Sequence, residues 1–447
     1  MQNTQSFNTK DYYYNEIRQK QSDLPGSQLP WLNKIRQSSL ENFKINGFPT
    51  THLEEWKYTN VDIISNKQFD LINTKTPNIT QEQVQQFLIQ NLASHYLVFL
   101  DGVFNRELSR LEQLPQNVVI ENISSTLQNN AQIIEKYLSS TLPPQQHGFT
   151  TLNSAFINEG ATIYVPKNTL LDKPIQLLFL HTNIKQAELN QPRNLIVLDE
   201  FAQANVIEIY ASLNDEGDYL TNAITELVVN PQAKLEYVKI QHESKQGFHI
   251  GTTYAQLQRD SHVTANSFSL GGKLVRSDFV ISLADKGASC ELNGLYMAQQ
   301  KQHVDHHTVI EHLKSHGTSK EFFRGIIADQ ARAVFNGKVF VEKDAQQTDA
   351  QQENHNLLLS KEAEIDTKPQ LEIYANEVKC AHGATVGQLD EEALFYLKSR
   401  GIPRAIARNL LIGAFAQTVL DRMANEFVKA HLQELMSNEC SLGEANE

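Results

Sequence analysis

The stretch NPQAKLEYVKIQ, residues 230–241, contains the pattern that decides the fold. It opens with a polar turn, continues with the small residue Ala233, and ends in a strand whose side chains largely alternate between apolar and polar. Similar units start at positions 200, 230, 259, 285, 329 and 361. Recurrence at a period of a few tens of residues indicates a repeat architecture, and units made only of strands favour a β-solenoid over a two-sheet β-sandwich.

The pattern of apolar and polar residues divides the chain into three regions. Residues 1–149 combine helical periodicity with a hairpin signal at Asp101-Gly102, residues 150–388 carry the repeated β units, and residues 389–447 are helical. We therefore expect a mainly β protein, in which a parallel β-helix lies between an α-containing N-terminal region and a C-terminal helical domain.

The C-terminal region has the strongest helix signals in the chain. Asp390 is a good N-cap, Gly401 is a natural helix end, and Pro403 suits the first turn of a second helix. An apolar stripe follows, and one face of these helices is expected to cover the end of the β-helix, leaving another face for a partner. The stripe comprises Ile412, Ala416, Val419, Leu420, Met423 and Phe427. Gly413 is a candidate interruption of a helix that would otherwise continue to Met436.

Composition excludes several classes of function. The net charge of −13 and the lack of a basic stripe argue against nucleic-acid binding, which needs a basic surface. No window approaches 18 apolar residues, so we expect no membrane span. The first 20 residues lack the apolar segment of a signal peptide, and three scattered cysteines do not form a disulfide framework. We expect a cytoplasmic protein with reduced thiols.

The sequence KCAHGATVG, residues 379–387, holds a candidate site. If this stretch is a strand, Cys380 and His382 lie on the same face and offer one thiolate and one imidazole. That is half of a tetrahedral metal site, and no second cysteine lies nearby to complete it. Three other interpretations stay open: a Cys–His nucleophilic pair, a packed cysteine beside a turn histidine, and a site completed by another chain.

A second candidate metal site is HVDHHTVIEH, residues 303–312, in which His303, Asp305 and His307 would share one face of a strand. The alternative is a solvated strand face of a solenoid. No dinucleotide-binding glycine motif, phosphate-binding loop or Ser-His-Asp signature is present, which argues against an autonomous ATPase or hydrolase.

Residues 335–415, from FNGKVFVEKD to NLLIGAF, closely resemble the core of the SufB/SufD family of iron–sulfur cluster assembly proteins, and the resemblance extends over about residues 40–435. The segment GFPTTHLEEWKYTN, residues 47–60, resembles the corresponding part of the SufD branch. SufB proteins carry a cysteine shortly before the LL of the segment that resembles ENHNLLLSKEAEIDTKP, and here that position is Asn354. The missing cysteine also indicates the SufD branch.

The resemblance implies a right-handed parallel β-helix and a complex with SufB and with the ATPase SufC, which docks on the C-terminal helices. Leu411 and Phe415 are the candidate SufC-binding residues. The resemblance also implies that His382 lies near the SufB interface, with Cys380 beside it, and shares a metal there. A transient iron–sulfur cluster or iron would sit at that interface, reduced flavin is a further candidate in the complex, and this chain alone would bind no cofactor.

Under this interpretation the chain is a non-enzymatic assembly subunit, and its isolated form is a candidate homodimer. Two alternatives remain open at this stage. One is a purely structural scaffold without chemistry, and the other is a β-helix enzyme that acts on polysaccharide.

Overall fold

A computed structural model describes residues 9–71, 79–143, 146–182, 187–215 and 217–442. The chain is mainly β and forms a parallel β-solenoid of about eight turns, with helices before and after it, as the sequence predicts. Along the chain the strands are β1 (His95–Leu100), β2 (Val103–Arg110), β3 (Val119–Asn122), β4 (Ala161–Val165), β5 (Ile175–His181), β6 (Leu189–Asn190), β7 (Arg193–Leu198), β8 (Gln203–Ser212), β9 (Leu220–Val229), β10 (Lys234–His242), β11 (Phe248–Leu257), β12 (His262–Ser269), β13 (Leu274–Leu283), β14 (Ser289–Ala298), β15 (His303–His312), β16 (Thr318–Ile327), β17 (Arg332–Val341), β18 (Thr348–Leu358), β19 (Glu364–Ile373) and β20 (Val378–Gly387).

The strands form two sheets that enclose the lumen of the solenoid. Sheet 1 has the order β2-β1-β5-β8-β10-β12-β14-β16-β18-β20, and sheet 2 has the order β19-β17-β15-β13-β11-β9-β7-β4-β3, with β6 paired to β9. Among the strand pairs of the described residues, only β1–β2 and β3–β4 are antiparallel. The parallel pairing within each sheet excludes the β-sandwich that the sequence left open.

From β4 and β5 onward, each coil of the solenoid adds 26 to 33 residues, from Phe248 opposite Leu274 to Thr162 opposite Leu195. The polar residues of the repeated unit form the tight turn before the strand, where Gln232 and Asp260 have φ values of 60° and 55°. The small residue that follows, such as Ala233, is buried. These features explain why a polar turn and a small residue recur before the strands.

The lumen is filled mainly by apolar side chains from both sheets, which gives the stacked coils one continuous core. Strands β9 and β11 are each almost entirely buried, because the N-terminal region covers the outer face of sheet 2. Strands buried on both faces do not alternate in sequence. The repeated units recognised in the sequence therefore belong to sheet 1 up to β14 and to sheet 2 only from β17 onward.

The N-terminal region supplies both helices and strands. Its helices are α1 (Thr9–Lys20), α2 (Pro30–Asn46), α3 (Asp62–Ser65), α4 (Gln81–Gln85), α5 (Ile123–Asn129) and α6 (Ala131–Tyr137), and α7 (Gly148–Ala155) follows. Gly47 ends α2 with φ of 64°, and Asp101-Gly102 forms the β1–β2 turn with both φ values positive. Because β1, β2 and β3 extend the two sheets, the predicted boundary at residue 149 does not coincide with the start of the solenoid.

The C-terminal helices are α8 (Glu391–Ser399), α9 (Arg404–Leu420) and α10 (Glu426–Leu442). Asp390 caps α8 as expected, and α9 runs through Gly413 without interruption. The apolar stripe of α9 packs on the outer face of sheet 1, with Ile412 and Val419 in one cluster with Ile240 and Leu295. The expectation that these helices cover the end of the solenoid is therefore wrong.

The chain turns between α9 and α10, so the apolar stripe does not continue as one helix. Phe427, predicted on the buried stripe, is exposed, whereas the next residue, Val428, is buried. No helix in the described ranges is long and apolar enough to cross a membrane.

Candidate functional site

The C-terminal end of the solenoid is open. β20 is the last strand of sheet 1 and β19 is the last strand of sheet 2. Within the described ranges no further strand pairs with either of them, since α8 to α10 lead the chain back along sheet 1. Apolar side chains are exposed here: Tyr374 keeps 61% of its surface accessible and Val386 keeps 48%. An unpaired strand edge beside exposed apolar residues is a surface on which another strand can dock.

Cys380 and His382 both lie on β20 and face the lumen side of the last coil. Cys380 pairs in register with Ala350 and packs with Val339 and Val341, which are lumen residues of the preceding coil. His382, two positions further along the strand, shares that face. With no further coil stacked on β20, the imidazole is exposed at the mouth of the solenoid. The shared face expected from the sequence is present in the structure.

The thiol of Cys380 is poorly activated. Its side chain is half-buried, and this burial, together with the nearby Asp349 carboxylate, raises its pKa. A thiol with a raised pKa is mostly protonated near neutral pH and is a weak nucleophile and metal ligand. The environment therefore disfavours a Cys–His nucleophilic pair and makes His382 the more available donor of the two.

The open end does not hold a complete metal site. In the part of the chain that the structure describes, no group of three or more His, Cys, Asp or Glu side chains could hold a metal ion. Cys380 and His382 thus remain two candidate ligands on an exposed edge, and any further ligands have to come from outside this set.

Asn354, the position that the resemblance matches to the SufB cysteine, is fully buried in the lumen. Its Nδ2 donates to the Tyr296 hydroxyl at 3.1 Å, and its Oδ1 accepts from Asn356 at 2.6 Å and from Thr367 at 2.9 Å. The amide is therefore a structural hydrogen-bonding centre that joins three strands. It offers no thiolate chemistry.

The second predicted group, His303, Asp305 and His307, does share one face of β15. The N-terminal segment 54–59 covers this face. Thr59 Oγ1 lies 2.8 Å from His303 Nε2 and donates to Asp305 Oδ2 at 2.5 Å. His307 contacts Asp305 through Nε2 at 3.0 Å and Glu55 through Nδ1 at 3.6 Å.

This network engages His303 Nε2, Asp305 Oδ2 and both ring nitrogens of His307, which are atoms that a metal would need. Burial and Arg276 act to lower the pKa of His307, but Asp305 and Glu55 raise it above its usual value. A protonated imidazole has no lone pair for a metal. Although burial alone would raise it, His307 and Arg276 hold the pKa of Asp305 below its usual range. The arrangement gives these three residues a structural role in fixing the N-terminal segment.

Arg276 completes the same network and was not singled out from the sequence. Its guanidinium stacks on the Trp56 ring at 3.7 Å, donates to the Glu55 carbonyl at 2.7 Å, and pairs with Asp278 and Asp305. The sequence signal for this contact was the EEWKYT segment itself, whose Trp and Thr fall on buried positions.

The two predicted SufC-binding residues, Leu411 and Phe415, are both half-buried on α9. Phe415 packs against the cluster on the outer face of sheet 1, with the Arg324 guanidinium 5.0 Å from its ring. The large apolar side chains of α8 and α9 that are more than half exposed are Phe395, Tyr396, Ile406 and Leu410. These helices therefore pack on the solenoid and also expose apolar side chains.

Known proteins resemble this chain over most of its length. A family model described as SUF system FeS cluster assembly, SufBD core domain, matches residues 179–415, and one described as SufBD protein N-terminal region matches residues 7–177. The iron–sulfur cluster assembly protein SufD of Escherichia coli is 34% identical, with 88% of this chain and 89% of that protein covered. An iron–sulfur cluster assembly SufBD family protein of Synechocystis is 31% identical over 94% of this chain and 93% of its own.

The SufD protein of Bacillus subtilis is 26% identical, with 90% of this chain and 92% of that protein covered. The residues matched by the two family models include the segment 54–59 and the open end with His382. The chain belongs to the SufBD family of iron–sulfur cluster assembly proteins, as the sequence predicted.

Proposed function

We propose that this chain is a non-enzymatic subunit of an iron–sulfur cluster assembly complex, in which it presents His382 to a site shared with SufB. The observation that carries the proposal is the position of His382, exposed on the unpaired last strand of an open solenoid. A single histidine on an open edge is half of a site, and a partner docked on that edge supplies the other half.

The partner is best explained as a second solenoid of the same kind. β19 and β20 carry unpaired backbone groups, and terminal coils of repeat proteins need a cap. A strand from another SufBD protein can add to this edge and bury Tyr374 and Val386. When SufB is absent, a second copy of this chain can dock on the same edge, which accounts for the expected homodimer.

Imidazole suits this task because iron and iron–sulfur clusters accept nitrogen ligands alongside thiolates. The chain lacks the thiolate position at Asn354, and burial disfavours the thiolate of Cys380. We therefore assign the sulfur ligands of the nascent cluster to SufB and assign His382 as the nitrogen ligand of this chain. Reduced flavin in the complex and a cytoplasmic location stay predictions.

The ATPase SufC is proposed to dock on α8 and α9. The support is the exposure of the apolar side chains of Phe395, Ile406 and Leu410, the last two of which line a groove with residues of α10 and sheet 1. An apolar patch on the outer side of an anchored helix pair is a suitable surface for a partner. Leu411 lies at the border of this patch, and Phe415 faces the solenoid side.

The test is cluster formation by the complex. Wild-type chain and His382→Ala are each co-expressed with SufB and SufC, and cluster yield is measured under anaerobic conditions on complexes of equal subunit composition. The matched control is His355→Ala, because His355 lies on the adjacent strand β18 but on the opposite face from Asn354, next to Thr385.

We expect His382→Ala to lose most of the cluster yield and His355→Ala to retain it. Normal yield from His382→Ala would refute the shared site and leave the scaffold without chemistry as the better explanation. The polysaccharide-acting enzyme is not proposed, since the chain belongs to a family of cluster assembly proteins.

A further inference from the structure

Three polar side chains form one row inside the last coils of the solenoid. Glu321 on β16 pairs in register with Gln352 on β18, and Gln352 pairs in register with His382 on β20. Side chains in register on parallel strands point the same way and are about 4.8 Å apart at the backbone. The row therefore leads from the buried lumen to the exposed imidazole.

The two inner members of the row are buried and joined. Glu321 is 2% exposed and Gln352 is 1% exposed, and Gln352 Nε2 donates to Glu321 Oε2 at 2.6 Å. Since Nε2 faces Glu321 on the preceding strand, Oε1 of the same amide points away from Glu321. The next strand of the row carries His382.

Gln352 Oε1 accepts no hydrogen bond in the described part of the chain. It is buried and has no hydrogen-bond partner there. A buried polar atom left without a partner destabilises a fold, because it has lost its hydrogen bonds to water. Such an acceptor is available to a water molecule, a ligand or a side chain that can reach it.

The surrounding residues make room for this amide. At Gly337, a side-chain Cβ would lie 2.4 Å from Gln352 Nε2, so any larger residue would displace the amide. Burial raises the pKa of Glu321 to about 7, but its Oε2 accepts from Gln352 in either protonation state. The hydrogen bond to Glu321 and the close approach of Gly337 therefore fix the orientation of the Gln352 amide.

We infer that Gln352, oriented by Glu321, accepts a hydrogen bond that the exposed ring does not make in this structure, from one ring N–H of His382, and thereby turns the other ring nitrogen toward the shared metal site. This inference rests on the proposed function. A histidine ligand usually donates its second N–H to such an acceptor, which fixes the tautomer and the ring orientation. Gln352 and Glu321 are thus positioning residues and do not touch the cluster.

The first test needs no partner and no cluster. The isolated chain is labelled with ¹⁵N-histidine, and the His382 ring signals are assigned by their absence in His382→Ala. The wild type should show one dominant tautomer, and Gln352→Met should show the mixture of a free imidazole. Methionine has a similar length and shape and no strong acceptor. Unchanged ¹⁵N shifts in Gln352→Met would overturn the inference.

The chain offers a matched control for this substitution. Gln241 is another buried lumen glutamine, its Nε2 donates to Glu243 Oε2 at 3.1 Å, and its Oε1 likewise lacks a partner in the described ranges. It lies several coils from His382. Gln241→Met should perturb the fold similarly and leave the His382 tautomer unchanged.

The second test uses the complex with SufB and SufC. Gln352→Met should lower the rate of cluster formation about tenfold, the size expected for an outer partner of a metal ligand. Glu321→Gln keeps an acceptor for Gln352 and should retain the rate, whereas Glu321→Leu should lower it. If Gln352→Met does not fold, Glu321→Leu is used in its place in both tests.

The outcomes separate the two hypotheses. If His382→Ala forms cluster normally, the proposed function fails, whatever the tautomer of His382. If His382→Ala loses cluster but Gln352→Met and Glu321→Leu match the wild type in tautomer and rate, the proposed function stands and only this inference fails.

Discussion

The guanidinium of Arg276 stacks on the indole ring of Trp56 at 3.7 Å, and both side chains are almost completely buried. The pair joins the N-terminal segment to strand β13 of the solenoid. Arg276 also balances the buried carboxylates of Asp278 and Asp305. One arginine therefore compensates two buried charges and anchors a segment more than 200 residues away in sequence.

Arg276→Ala should destabilise the protein by about 3–5 kcal/mol, because it leaves buried carboxylates without their partner. The free energy of unfolding in urea measures the effect. Arg259→Ala is the control, since Arg259 forms only an exposed pair with Asp260, where such pairs contribute at most about 1 kcal/mol. Equal stability of the two variants would show that the network around Trp56 is not a stabilising anchor.

Stability should also depend on pH through Glu321, whose pKa is raised by burial from 4.5 to about 7. Between these two values the native carboxyl retains a proton that the unfolded chain has released. The contribution of this group to the free energy of unfolding is therefore complete below pH 4.5 and is lost as the pH rises through 7.

Glu321→Gln removes this titration. Relative to the wild type in the same buffers, the variant should gain up to about 3 kcal/mol between pH 4.5 and pH 8, at 1.36 kcal/mol per pH unit. Urea unfolding curves across that range measure the difference. A difference that stays constant with pH would mean that Glu321 titrates normally in the folded protein.

The open edge predicts a third result. Val386→Lys places a charge on the exposed apolar surface of β20, and lysine on an edge strand opposes pairing with another strand. Association with SufB should weaken at least tenfold while the melting temperature stays within a few degrees. Val103→Lys is the control, because Val103 is similarly exposed on β2, the edge strand at the other end of sheet 1. Equal loss of binding in both variants would exclude the C-terminal edge as the interface.

The repeat architecture could be predicted because apolar and polar residues alternate along the strands of sheet 1, as in residues 230–241. Strands such as Leu220–Val229 could not be found by alternation, since the N-terminal region buries their second face. The path of α9 depends on apolar residues of sheet 1 that lie far apart in sequence, including Ile240 and Leu295. Local periodicity showed that α9 has a buried face but not what covers it.

The candidate site, like the fold, could be predicted only in part from the sequence. Cys380 and His382 are two positions apart on one strand, so their shared face could be deduced from spacing alone. Gln352 and Glu321 could not be connected to His382, because that requires the register between coils of 30 and 31 residues. The network of His303, Asp305 and His307 depends on Thr59, more than 240 residues earlier.

The C-terminal helices allow a prediction that separates binding from stability. Leu410 is 51% exposed on α9, whereas Phe415 packs on the solenoid. Leu410→Glu should weaken the pull-down of SufC with little change in melting temperature. Phe415→Asp should lower the free energy of unfolding by about 2–4 kcal/mol, since it removes an apolar contact and places a charge on the packed face.

The control for Leu410→Glu is Ile45→Glu, which makes the same kind of change at an exposed apolar residue of α2. Ile45→Glu should bind SufC like the wild type. Leu411→Glu, at the border between the two faces, should impair both binding and stability in part. Full SufC binding by Leu410→Glu would move the docking surface away from this face of α9, because a new charge in a desolvated apolar contact cannot be accommodated without a large loss of affinity.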